Sequence, residues 1–299
     1  MPRPTPYDDI QARLSSLGAR VASLPRKWER LGDVLVVRLP DDTFTAGETE
    51  AIAAVYAEVL RARIVLRDRG GIKGDLREPD IVRLYGEGSA ETLHVQDGIR
   101  YRLDPERVMW SSGNMVERIR MGQLSAHGDT VVDLFAGIGY LTLPLLVHAG
   151  AERAVCCELN PVSARFLHEN ARLNDVAGRI EVRQGDCRDV APTGVADRVL
   201  LGWFPGGHRY LDVALRALKP EGGIIHYHDT TKADAPEDEL LDHLAAAAAA
   251  AGRRIVSSGC RVVKSYAPGV VHAVLDAGLA PLPPRTEATY TSPAEGATA

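Results

Sequence analysis

Residues 131–140, VVDLFAGIGY, and the run Cys157-Glu158-Leu159-Asn160-Pro161 behind them decide the fold, because together they spell a strand, a glycine turn, a helix and a second strand ending in an acid. Val131 and Val132 are β-branched, Asp133 closes the apolar run, and Gly137 and Gly139 permit a tight turn and close approach of the backbone to a ligand. Leu141 to His148 is the expected helix, with its N-terminal amides at that turn. Ala154-Val155-Cys156-Cys157 reads as a second buried strand, and Glu158 at its carboxyl edge follows the glycines by about 20 residues, the spacing at which an acid accepts both hydroxyls of a ribose. This is the layout of a nucleoside-cofactor site in an α/β protein.

The glycines separate two cofactor classes. A dinucleotide fingerprint runs GxGxxG straight into the helix and lays a pyrophosphate on the helix amides. Here Asp133-Leu134-Phe135-Ala136-Gly137-Ile138-Gly139-Tyr140 has a carboxylate before the turn and no third glycine at the expected place. A carboxylate there repels pyrophosphate and suits an ammonium or a sulfonium. The motif resembles the first motif of class I S-adenosylmethionine-dependent transferases, and Gly185-Asp186, after the strand Ile180 to Val182, resembles their adenine-contacting acid. The resemblance implies a Rossmann-like, seven-stranded sheet with S-adenosylmethionine as cofactor.

Composition sets the outer limits. A chain of 299 residues with 45% hydrophobic content can bury the core of one to two domains. No apolar run approaches the roughly 20 residues that span a bilayer. The N-terminus, MPRPTPYDDIQ, lacks the apolar core of a signal peptide, so a cytoplasmic protein without a membrane partner is expected. The 4 cysteines, with Cys156 and Cys157 adjacent in an expected strand, supply neither a CxxC metal pair nor a disulfide framework; they read as buried thiols, with no metal. Net charge is −5, yet residues 1–120 carry 19 basic and 19 acidic side chains, which leaves the acidity to the remainder. Bulk charge therefore neither demands nor excludes a nucleic-acid partner, because a local patch is what matters.

The pattern divides the chain into residues 1–107, a smaller N-terminal α/β module, residues 108–279, the cofactor-binding catalytic domain, and residues 280–299, a disordered tail rich in Pro, Thr, Ser and Ala. In the first part we expect a helix from Tyr7 to Val21, a loop at Pro25-Arg26-Lys27-Trp28, a strand from Val34 to Leu39 and a helix from Ala46 to Leu60 that Gly47 starts poorly. IVLRDRG, DIVRLYG, ETLHVQDG and IRYRLD, between Ile64 and Asp104, then read as short strands with glycine turns. Arg67, Arg69, Lys73 and Arg77 lie near Gly70 and Gly71, either as scattered charges on a solvated hairpin or as a phosphate-contacting edge. In the catalytic part the expected elements are helices at Pro161 to Asn174, Tyr210 to Ala217 and Asp238 to Ala251, and strands at Arg179 to Arg183, Arg198 to Gly202, Gly223 to His228, Arg254 to Val263 and Gly269 to Leu275.

Six phrases narrow the resemblance to a family. GIKGDLREP at 71–79, WSSGNMVERIRMG at 110–122, DLFAGIGYLTLP at 133–144, ELNP at 158–161, ADRVLLGWFP at 196–205 and VKSYAPGVVHAVLD at 263–276 together resemble the wybutosine-synthesising tRNA aminocarboxypropyltransferases, relatives of the tRNA guanine N1-methyltransferases that modify the same anticodon-adjacent guanosine. The resemblance runs in consistent order from about Leu24 to Leu279. It implies transfer of the 3-amino-3-carboxypropyl group from S-adenosylmethionine to 4-demethylwyosine in the anticodon loop of tRNA(Phe), with methylthioadenosine released. The alternative is methyl transfer to the guanine. Because S-adenosylmethionine has three electrophilic carbons on sulfur, the cofactor pose selects the product: the nucleophile must be aligned with one C–S bond.

The methyltransferase branch carries an arginine after Ser-Pro before the cofactor domain and an Asn-Leu-Pro after the fourth strand. This chain has Ser111-Ser112-Gly113-Asn114 and Gly202-Trp203-Phe204-Pro205, which removes groups suited to polarising guanine and favours the aminocarboxypropyl branch. Trp203 and Phe204 are either a stacking platform for a tricyclic base or core. The resemblance implies cofactor contacts from Ser111 and Arg118 at the methionine arm, Asp133 at its ammonium, Gly137 at the turn, Glu158 on the ribose, and Asp186 with the Cys187 backbone at the adenine. A guanidinium suits the carboxylate of the methionine arm, whereas Glu117, Arg118 and Arg120 read alternatively as a solvated helix face. Asn160 before Pro161 reads as a helix N-cap. No catalytic base stands out. Asp133 and His226 are the candidates, with His208 and His228 also near expected strand ends. The preference for arginine over lysine and the heavy use of alanine and glycine suggest a GC-rich genome, archaeal or bacterial, and a bacterial protein would need a different acceptor. A binding module without catalysis would show an incomplete cofactor pocket.

Overall fold

The structure is a computed structural model that describes residues 4–16, 24–40 and 43–283. The end of the first expected helix and the tail from 284 onward lie outside the described residues. The first sheet contains β1 (Trp28–Leu31), β2 (Val34–Val37), β3 (Ile64–Lys73) and β4 (Glu78–Tyr85) in that spatial order, with α1 (Pro6–Ser16) and α2 (Ala46–Leu60) packed together on it. Strands β2 and β3 are parallel, and α2 makes the crossover. Ile10, Leu14, Leu35, Ile52, Tyr56 and Val65 fill this core. Gly47 does not weaken α2, because Thr45 and Glu48 form a reciprocal capping box around it.

Two expectations for this region are corrected. Trp28 is not in a loop: it opens β1, facing Val37, and its ring sits edge-on to Tyr56 at 6.0 Å. Nor do Gly70 and Gly71 form the turn. They lie inside β3, where Gly70 takes φ +79 and the register with β4 shifts between Asp68 and Ile72, which is a bulge. The chain turns later, at residues 74–77.

A hairpin of β5 (Thr92–Gln96) and β6 (Ile99–Leu103) leads into α3 (Met115–Gly122) and the large sheet. That sheet comprises β7 (Thr130–Asp133), β8 (Arg153–Glu158), β9 (Ile180–Gln184), β10 (Arg198–Leu201), β11 (Gly223–Lys232), β12 (Arg253–Ala267) and β13 (Val270–Pro281). The spatial order is β12-β13-β11-β10-β7-β8-β9, with seven strands as expected; β13 runs antiparallel between β11 and β12. Every residue of β7 and β10 is buried, as befits central strands covered on both faces. Alternate residues supply the two cores. Val132, Leu134, Val199, Leu201, Ile225 and Tyr227 face α7 (Leu211–Ala217) and α8 (Pro236–Ala250), whereas Val131, Ala154, Cys156 and Leu200 face the side of α4 (Thr142–Val147) and α5 (Pro161–Leu173). Cys156, Cys157 and Cys187 are buried thiols and Cys260 is half-buried; all four are free.

Side-chain amides on α5 and at its C-cap tie the hairpin to the glycine turn. Asn174 and Asn170, one helical turn apart, each accept from and donate to the backbone of β6 at Arg100 and Arg102. Asn170 also donates to the carbonyl of Ile138 at 3.1 Å, so one fully buried amide fixes both the hairpin and the loop after β7.

Candidate functional site

The carboxyl ends of β7, β8, β9, β10 and β11 open on a cavity of about 340 Å³. That is the position at which open α/β sheets bind ligands. Asp75, Leu76 and Arg77, at the β3–β4 turn, form part of its wall, and Asn160 Nδ2 donates to the Leu76 carbonyl at 3.0 Å. The smaller module therefore closes a site built on the larger one. Asn160 also caps α5 through the Val162 amide, at 2.9 Å, as expected.

Beside the glycine turn, Glu158 Oε2 accepts from the Gly137 amide and Oε1 from the Asn160 amide, each at 2.7 Å. Each oxygen keeps a lone pair for a ribose hydroxyl. Burial pushes the Glu158 carboxyl up to about 6. Gly137 sits at φ +56, and a Cβ there would fall 2.4 Å from the Tyr140 ring, so both conformation and space require glycine. Asp133 lines the cavity at 1% exposure; Thr142 Oγ1 donates to it at 2.6 Å and the Phe135 amide at 3.1 Å. Burial pushes its carboxyl also up to about 6. At the far end Asp186 caps α6 (Cys187–Val190), accepts from the Arg188 amide at 2.9 Å and pairs with the Arg188 guanidinium; Asp186 and Cys187 both line the cavity.

At the opposite end, α3 is not a solvated face: Glu117 and Arg118 are each 3% exposed. Arg118 donates through Nε to Gln96 Oε1 at 2.6 Å and through Nη1 to the Ser111 carbonyl at 2.9 Å, and it lies over Trp110 at 4.4 Å. Its Nη2 is buried without a partner beside the cavity. An orphaned guanidinium nitrogen is the donor that a ligand carboxylate would satisfy. Tyr140, which donates to the Met109 carbonyl, and Tyr101 complete an aromatic enclosure around Trp110. Ser111 Oγ accepts from Lys264 Nζ at 2.9 Å, and a Cβ on Gly113 would meet the Lys264 stem at 3.0 Å. A larger residue at 113 would have to displace that lysine.

The third wall is aromatic and basic. Trp203 and Phe204 both line the cavity; Arg77, held at φ +56, lies 4.8 Å from the Trp203 ring centre and 6.0 Å from that of Phe204. His228 and His272 line the same side, and His272 stacks on Phe204 with ring centres 3.7 Å apart. Gly202 faces Leu141 across the cavity rim, where a Cβ would meet it at 3.5 Å.

His226 is elsewhere. One position lower on the same face of β11, it hydrogen-bonds Asp276 at 2.5 Å and Arg198 Nη1 at 2.7 Å, and it does not line the cavity. Arg198 continues to Asp129, and Asp276 to Arg120, which grips Glu117 through two bonds. His226 thus belongs to a structural ion network beneath α3, and both of its nitrogens are engaged there. His208 points to Asp229 at 3.3 Å and also stays outside the cavity wall.

Residues 92–256 match the family described as the TRM5/TYW2 methyltransferase domain, and residues 14–89 match the TYW2 N-terminal domain. The chain belongs to the TRM5/TYW2 family. A family relative in Pyrococcus horikoshii, named tRNA(Phe) (4-demethylwyosine(37)-C(7)) aminocarboxypropyltransferase, is 39% identical over 256 residues, which cover 86% of this chain and 90% of the relative. The crystal structure of P. horikoshii TYW2 in complex with MeSAdo superposes with a TM-score of 0.80 at 35% identity, covering 92% of this chain and 99% of that one. Wild-type Trm5b from Pyrococcus abyssi gives 0.78 at 27% identity, covering 94% and 82%. The TRM5/TYW2 membership bears out the family and the α/β fold expected from residues 131–161 and from the six phrases.

Proposed function

We propose that this chain transfers the 3-amino-3-carboxypropyl group of S-adenosylmethionine to C7 of 4-demethylwyosine at position 37 of tRNA(Phe), releasing methylthioadenosine, as a step of wybutosine-type tRNA modification. The observation that supports this reading is that residues 14–89 match the TYW2 N-terminal domain, and the relative cited above, aligned over 86% of the chain, bears the name of that activity. The site supports it. S-adenosylmethionine supplies a sulfonium whose substituent carbons are electrophilic, and the residues present fit it. Glu158 takes the ribose and Asp186 with the Cys187 backbone takes the adenine. Asp133 faces the ammonium; the unpartnered Nη2 of Arg118, held by Ser111 and Gln96, takes the carboxylate. Trp203, Phe204 and Arg77 offer a flat, partly cationic wall for a tricyclic base. Gly113 stands where the resembled methyl-transferring branch carries its arginine, and even a Cβ there would meet the Lys264 stem at 3.0 Å.

In this reading residues 1–107 form the module that contacts the anticodon loop and closes the cavity, and residues 108–279 carry the chemistry. No helix among the described residues is long and apolar enough to cross a membrane, and a tRNA acceptor supports a cytoplasmic location. Two labelled cofactors test the transfer. Carbon label in the carboxyl group of S-adenosylmethionine should move into tRNA carrying 4-demethylwyosine while label in the S-methyl group stays in the small molecule; the reverse distribution would mean methyl transfer.

A further inference from the structure

His228 and His272 line the acceptor side of the cavity, and no contact assigned above to the cofactor or the acceptor base uses their polar atoms. Each is 1% exposed. They stand on the antiparallel neighbours β11 and β13, where Thr230 faces His272 and His228 faces Val274, so the two rings are diagonal neighbours on one face. Nδ1 of His228 is 3.0 Å from Nε2 of His272. The outer nitrogens, Nε2 of His228 and Nδ1 of His272, are buried with no hydrogen-bond partner. Burial above all keeps both rings neutral, holding His228 at about 3 and His272 at about 2.

Two neutral rings share one internal hydrogen bond, and Glu117 sets its direction. Glu117 Oε1, which accepts from Arg120 Nη2 at 2.6 Å, lies 3.7 Å from Nε2 of His228. A carboxylate at that distance favours an N–H over a lone pair on Nε2. Nδ1 of His228 is then the acceptor, Nε2–H of His272 the donor, and Nδ1 of His272 carries a bare lone pair beside the Phe204 ring on which it stacks.

We propose that Nδ1 of His272 is the base that removes the proton from the acceptor carbon, and that His228 and Glu117 relay it; the proposal rests on the transfer reaction proposed above. The acceptor carbon, using a ring electron pair, bonds to the donor carbon while the C–S bond breaks with its pair left on sulfur, which departs as a neutral thioether. The acceptor ring is then cationic, and its carbon holds both the new substituent and the old hydrogen. Transfer of that proton to Nδ1 of His272 returns the C–H pair to the ring; Nε2–H of His272 passes to Nδ1 of His228, and Nε2–H of His228 passes to Glu117. A cationic ring is a strong acid, so a weak base suffices, and the low proton affinity of His272 keeps its lone pair free.

Two measurements test this. In the ligand-free protein, nitrogen-15 histidine spectra should show His272 as the Nε2–H tautomer; an Nδ1–H tautomer overturns the relay. In single turnovers with acceptor tRNA deuterated at C7, the native enzyme should show no isotope effect. His272→Phe, which keeps the stack on Phe204, should bind S-adenosylmethionine as tightly as the native protein, react on the order of a hundredfold slower and show a primary isotope effect, because proton loss now limits the rate. A native rate in His272→Phe, or a slow one without an isotope effect, overturns the relay alone. Absence of methylthioadenosine from the native enzyme overturns the transfer and the relay together.

Discussion

Arg118→Ala should weaken S-adenosylmethionine far more than it weakens methylthioadenosine, the same molecule without its aminocarboxypropyl arm. The guanidinium is 3% exposed, its Nε and Nη1 are bound to Gln96 and Ser111, and only Nη2 is left over. A charge-assisted hydrogen bond is worth about 1.5–3 kcal/mol. Removal of one partner of a buried ion pair costs about 3–5 kcal/mol, because the other charge stays behind unpaired. Taking about 3 kcal/mol, the Kd for S-adenosylmethionine should rise by roughly a hundredfold, at about 1.4 kcal/mol per tenfold. Loss of packing on Trp110 affects both ligands alike, so the ratio of the two affinities isolates the carboxylate contact. Arg118→Lys keeps the charge and loses the fork, and should fall between native and alanine. Titration calorimetry with both ligands measures this directly. Equal losses for the two ligands, or no loss for either, would refute the assignment of Arg118 to the carboxylate.

Glu158 and Asp133 are both held by burial at about 6, above their ordinary values, so the ligand-free site is partly protonated at mildly acid pH. Ribose hydroxyls and a cationic ligand favour the ionised forms; binding must therefore release protons and tighten as pH rises through about 6, by roughly tenfold for each carboxylate between pH 5 and 7. Calorimetry in buffers of different ionisation enthalpy checks the proton release, and Glu158→Gln should lose its share of the slope. Burial raises the Asp276 carboxyl, but hydrogen bonding to His226 and the charge of Arg120 outweigh it and hold it at about 2. Its stabilising contribution is thus present above the unfolded value and lost only as pH falls toward 2. Asp276→Asn should cost about 3 kcal/mol, read as a drop in Tm on the order of 10 °C by scanning calorimetry, and an unchanged Tm would mean that the network beneath α3 is not structural. Trp203→Ala should raise KM for the tRNA by about ten- to a hundredfold through lost base stacking and leave the cofactor Kd within twofold; the opposite split would put Trp203 against the cofactor instead.

The local part of the site was legible from residues 131–161 because its determinants are close in sequence. The β-branched run, the glycines, Glu158 and the Asn160-Pro161 cap each act on their own turn of chain, and in the structure Val131 and Val132 lie in buried β7, Gly137 and Glu158 line the cavity, and Asn160 caps α5. What pattern alone left open depends on partners far along the chain. Glu117, Arg118 and Arg120 read as a charged helix face, yet Arg120 meets Asp276 across 156 residues. His226 looked like a base at a strand end, and its fate was decided by Arg198 and Asp276 on neighbouring strands. His272 had no local signal at all: an isolated histidine in an apolar run acquires meaning only when β13 inserts beside β11. Arg77 stood among other basic residues near a glycine pair, and only the bulge at Gly70, which moves the turn to residues 74–77, delivers it to the cavity.

The most direct test of the central claim is the identity of the small molecule released when the purified protein turns over S-adenosylmethionine with tRNA(Phe) bearing 4-demethylwyosine. Mass spectrometry should find methylthioadenosine in amounts equal to the tRNA modified. S-adenosylhomocysteine in its place would mean that the methyl carbon is the one attacked and would contradict the account.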